Sequence, residues 1–76
     1  MNKARRKELN EIRAELQGLM ERLEIIKDEE QESFDNMPEG LQYSERGEKA
    51  ENAISNLEYA YDNISDAIDR IDEAIE

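Results

Sequence analysis

The stretch that decides the fold is AENAISNLEYAYDNISDAIDRIDEAIE, residues 50–76. Within it Ala50, Ile54, Leu57, Tyr61, Ile64, Ile68, Ile71 and Ile75 recur at alternating steps of four and three. Steps averaging about 3.5 residues keep one stripe of a helix turned toward a neighbour, so the spacing predicts a long helix with an apolar seam. A second register, Ala53, Ala60, Ala67 and Ala74, runs beside the first at seven-residue intervals. The apolar face is therefore three positions wide in each heptad. A two-stranded zipper needs two, and an alanine row lets another backbone approach closely, so this width points to a bundle of more than two helices.

Toward the amino terminus, Leu9, Ile12, Leu16, Leu19, Leu23 and Ile26 repeat the same alternation, with Met20 and Ile25 off the seam. The pattern lapses at Glu30. Pro38, Gly40 and Gly47 then gather with Asn36 and Ser44, residue types that fix φ, relax the backbone or cap amides. The expected organisation is one domain over 1–76: a helix at about 3–35, a joint at about 36–44 and a helix at about 45–75. Ser44 is the expected cap of the second helix, with Glu45 and Glu48 in its first turn. A joint this short makes an antiparallel two-helix hairpin the default. The expected fold class is all-α, a coiled-coil-like hairpin that dimerises into a four-helix bundle, with larger rings or a partner-completed bundle as alternatives. Self-association is expected through Ala53, Ile54, Leu57, Ala60, Tyr61, Ile64, Ala67, Ile68 and Ile71.

Composition narrows the chemistry. The 76 residues include no His, Cys or Trp, and 21 acidic against 10 basic side chains leave a net charge of −11. Imidazole bases, thiolate nucleophiles and Cys/His zinc sites are excluded, so neither an enzyme, a cofactor nor a metal is expected. The acidic balance argues against direct DNA binding, which draws on Lys and Arg at phosphates. No stretch approaches the roughly 20 apolar residues of a membrane span. The opening MNKARRKELN lacks the apolar core of a secretory signal, so a cytoplasmic location is expected.

Charge is unevenly spread. Residues 1–27 hold seven basic and five acidic side chains, residues 28–76 three basic and sixteen acidic. In a hairpin, Lys3, Arg5, Arg6 and Lys7 are expected beside Asp66, Asp69, Asp72, Glu73 and Glu76. The row Asp62, Asp66, Asp69, Asp72 and Glu73, with Tyr59 on the outer side among Asn52, Asn56 and Asn63, is the candidate partner-binding surface. Its bland alternative is a solvated face. Arg5, Arg6 and Lys7 are candidate contacts for an anion such as a nucleotide. Phe34, Met37, Leu41 and Tyr43 either cap the end of the bundle or form a recognition loop. Asp28, Glu29, Glu30, Glu32 and Asp35 make a second acidic patch near the joint, and Gly18 either marks a close helix approach or nothing.

The segment FDNMPEGLQYSERGEKAENAISNLEYAYDNI, Phe34–Ile64, resembles a group of short, acidic, helical proteins encoded in bacteriophages and prophages of gut and Gram-positive bacteria. The joint FDNMPEGLQ followed by SERGEKAE carries the likeness, and the rest of the chain follows more loosely. What the resemblance implies is a source and a habit, stoichiometric binding of host factors, including antiviral defence enzymes. The leading expectation is a non-enzymatic accessory protein that binds and inhibits a host protein, a defence enzyme or nuclease, through its acidic helical surface. The alternatives are an assembly module of a phage particle or complex, and an oligomeric sponge for an anionic nucleotide signal.

Overall fold

The computed structural model describes residues 1–76 as three helices and no strand: α1, Lys3–Asp35; α2, Glu39–Gln42; and α3, Glu45–Ile75. The chain is all-helical and elongated, with extents of 58 × 15 × 12 Å. A single helix of 76 residues would run about 114 Å at 1.5 Å per residue, so the chain lies back along itself at the joint.

Local chemistry sets the helix ends. Asn2 holds an extended backbone and its side-chain oxygen accepts from the Arg5 amide at 2.8 Å, satisfying one of the free donors of the first turn. At the other end of α1 the Asn36 amide donates to the Glu32 carbonyl at 3.0 Å, and Pro38, with φ −54 and ψ 144, stops the helix from continuing. The joint is not a loose loop. Four of its residues form the single turn α2, with the amides of Leu41 and Gln42 both directed at the Pro38 carbonyl. Gln42 Nε2 also donates to the Phe34 carbonyl at 3.1 Å, tying the joint to the end of α1. Ser44 does stand at the cap of α3, but by another route than expected: its hydroxyl donates to the Leu41 carbonyl at 2.5 Å instead of accepting from an α3 amide.

Gly47 has a different role from the helix punctuation its neighbourhood suggested. It lies in the first turn of α3, is buried, and has no positive φ. A Cβ built there would collide with the carbonyl group and Cα of Gln42, so the close seating of α2 on α3 requires the missing side chain. Gly18, in contrast, faces open space.

The packing between the long helices corrects the seam expected for α1. Leu9, Leu16 and Leu23 are half-buried, but the flank that faces α3 with them is Arg13, Met20 and Lys27. Ile12, Leu19 and Ile26, expected in the seam, are 44, 45 and 50% exposed. The reason is geometric: Leu9, Leu16 and Leu23 can be completed on either side at three-to-four spacing, and one facing helix covers only one side. The long stems of Arg13 and Lys27 pack inward with their charges at the edge. On α3 the innermost residues are Ala50, Ile54 and Ile68, which with Met20 form the hydrophobic core. No polar side chain is buried.

Candidate interaction surfaces

Arg13 fixes the register of the two long helices. Its Nε donates to Asp72 Oδ1 at 2.5 Å and its Nη2 to Oδ2 at 3.2 Å, a two-pronged pair across 59 residues of sequence. Both side chains remain about 40% or more exposed, so the pair orients the helices more than it stabilises them. Asp72 holds the guanidinium above its ordinary pKa, through the hydrogen bond first and charge second, with Asp69 adding and desolvation opposing. A raised cation is bound at any pH below its ordinary value and is lost only as pH climbs beyond it, so Arg13 is a fixed charge under all ordinary conditions. Further along, Leu23 and Lys27 share an open groove with Leu57 and Tyr61, in step with that register.

This register separates the six acidic and aromatic candidates. Asp72 turns inward and is occupied by Arg13. Tyr59, Asp62, Asp66, Asp69 and Glu73 are all exposed; Tyr59, Asp66 and Glu73, at steps of seven, stand on the side of α3 away from α1, whereas Asp62 edges the groove with Lys27 and Asp69 stands near enough to Arg13 to favour its charge. Tyr59 is 67% exposed. Asp62, Asp66 and Asp69 have no ion pair within the chain, while Glu73 meets its neighbour Arg70 at 3.7 Å. No group of three or more carboxylates is arranged to hold a metal ion.

The basic cluster stands elsewhere than expected. Lys3, Arg5, Arg6 and Lys7 are exposed and form no ion pair with α3. The register explains this: Lys3 lies ten residues before Arg13 but Glu76 only four after Asp72, so α1 overhangs α3 by about six residues, ~9 Å. The joint aromatics and aliphatics also divide. Phe34 and Met37 turn inward, whereas Leu41 and Tyr43 face solvent.

Among the self-association candidates, Ile54 and Ile68 are covered within the chain. Leu57 and Tyr61 line the groove with Lys27. Ile64 lines a second groove, on the other side of the contact, together with Leu19, Arg22, Leu23 and Ile26. Ala53, Ala60, Ala67 and Ile71 share that side by helical spacing, with Ala67 exposed and the others half-buried. Sequence reasoning missed this second groove because it assigned Ile12, Leu19 and Ile26 to the contact with α3. No helix is long and apolar enough to cross a membrane. Comparison with family models, curated proteins and solved structures finds no match to the chain.

Proposed function

We propose that this protein is a non-enzymatic binding module: an antiparallel two-helix hairpin, doubled into a four-helix bundle, that offers an acidic helical face to a basic groove on a host protein and inhibits it. The observation that carries this reading is the acidic surface of α3, where Asp62, Asp66 and Asp69 stand exposed around Tyr59 and none of the three forms an ion pair within the chain. Unpaired carboxylates cost nothing in water, and a basic groove of a nuclease or other defence enzyme supplies the counter-charges. An amphipathic aromatic among them is a suitable anchor. The resemblance of Phe34–Ile64 to phage and prophage proteins favours a bacterial host cytoplasm as the setting.

The test is affinity capture from a bacterial host carrying antiviral defence systems, with the protein and with a variant in which Asp62, Asp66 and Asp69 are Asn. A partner held by the protein at low salt, released by high salt and not held by the variant supports the reading. Equal capture by both refutes it. A second reading, a sponge for an anionic nucleotide, draws on the overhanging turn, whose Arg5, Arg6 and Lys7 have no carboxylate partner in the chain. Calorimetry with a panel of cyclic nucleotides decides it: no heat removes the sponge.

A further inference from the structure

We infer that the groove lined by Leu19, Leu23, Ile26 and Ile64, together with the strip that helical spacing extends through Ile12 on α1 and Ala60, Ala67 and Ala74 on α3, is covered by a second copy of this chain, lying antiparallel with its joint at the opposite end. This deepens the bundle part of the proposed function and rests on the hairpin reading.

Arg13 is level with Asp72; six residues on, Leu19 is level with Asp66, and so beside Ala67. Ile12 and Ile26 lie seven residues either side of Leu19, and Ala60 and Ala74 seven either side of Ala67. The groove therefore reads the same in both directions about one level. That is the condition for an interface with a two-fold axis, in which each surface must fit itself. An axis through this level sets Leu19 against its own counterpart and Ile12 against Ile26. It also brings the two α3 helices together at Ala67, where small side chains permit close approach.

Nearest the axis the α1 rims match in charge, whereas farther out in the same row Glu8 falls opposite Glu29 of the second copy. On α1, Glu15 and Arg22 stand on the solvent side of the row, four residues before and three after Leu19, and both are exposed. The axis places each Glu15 against Arg22 of the second copy, twice per dimer. On α3 the outer rim of this groove is Asn56, Asn63 and Arg70, without a carboxylate, although the opposite flank holds Glu58, Asp62 and Asp69. A chain of net charge −11 has kept acid off the one α3 flank that would meet itself. The same axis gives the overhanging basic turn a partner. Arg5 lies fourteen residues before Leu19 and meets the level of Ser33 in the second copy, flanked by Glu29 and Glu32. Tyr59 and the acidic outer face of α3 remain free.

Sedimentation equilibrium at tens of micromolar is the first measurement, and a dimer is expected. Leu19→Lys places two cations at the axis and is expected to give a monomer. Should that variant fail to fold, a charge exchange keeps the question decidable: Glu15→Arg weakens the dimer by about tenfold, and Glu15→Arg with Arg22→Glu restores it. Because the chain has no Cys, single Leu19→Cys and Ala67→Cys variants can be treated with a short bismaleimide. Efficient linking of these two, and not of Tyr59→Cys, supports the inference. A folded monomer, linking through Tyr59→Cys, or a Glu15→Arg defect that Arg22→Glu does not repair overturns it. A monomer that still captures a partner through its acidic face would overturn this inference while leaving host binding intact.

Discussion

Gly47→Ala and Gly18→Ala are the same chemical change in two helices, and they are expected to act in opposite directions. In a helix interior Ala is favoured over Gly by about 0.5–1 kcal/mol, chiefly because Gly has more freedom to lose. At Gly18 nothing lies within 4 Å of an added Cβ, so that gain is realised in full. At Gly47 the added methyl meets the backbone of Gln42, with the Gln42 Cα at 2.7 Å, and backbone cannot swing aside as a side chain can. Overpacking of this kind costs about 1–3 kcal/mol. After the propensity gain, Gly47→Ala is expected to destabilise by roughly 1–2 kcal/mol. For a chain of this size that lowers Tm by about 4–15 °C, while Gly18→Ala raises it by about 2–8 °C. Thermal unfolding followed by circular dichroism at 222 nm measures both. Concentrations must be matched, since self-association makes Tm concentration-dependent. If Gly47→Ala were as stable as Gly18→Ala, the close seating of α2 on α3 would be refuted.

Met20 is 5% exposed, so Met20→Ala is expected to cost about 2–4 kcal/mol by urea denaturation. A loss below about 0.5 kcal/mol would refute the rotated seam of α1. Arg13→Ala should lower Tm, by less at 1 M salt than at low salt, and Asp72→Asn added to it should bring little further loss, because both remove one pair. Tyr59→Ala should leave unfolding unchanged within about 0.5 kcal/mol while weakening partner capture; a large stability loss would mean that Tyr59 is packed.

The helical character of the chain could be read directly from the sequence. The heptads of residues 50–76 have no competing period, and Pro38 interrupts any single helix. The orientation of α1 about its axis could not be read so simply. Leu9, Leu16 and Leu23 belong equally to a seam completed by Ile12, Leu19 and Ile26 and to one completed by Arg13, Met20 and Lys27, and hydropathy favours the first. The second is adopted because aliphatic stems pack as well as side chains without charge, and Arg13 finds Asp72 at the edge. The turn α2 left no periodic signal, since four residues are too few to show one. The outward position of Tyr59 followed from spacing alone. The inward turn of Asp72 did not, because it depends on the register with α1.

The construction of the joint sets the order in which the molecule comes apart. One end is braced by the turn α2, the Gln42 to Phe34 bond and the backbone contact at Gly47. The other end closes with Arg13 on Asp72, and beyond it α1 runs on uncovered. Unzipping therefore begins at the termini and travels toward the elbow. Amide exchange should follow that gradient, fastest in the first turns of α1 and the last of α3. A pulling force applied to the two termini should open the pair progressively, with the region around Ala50 and Ile54 the last to yield.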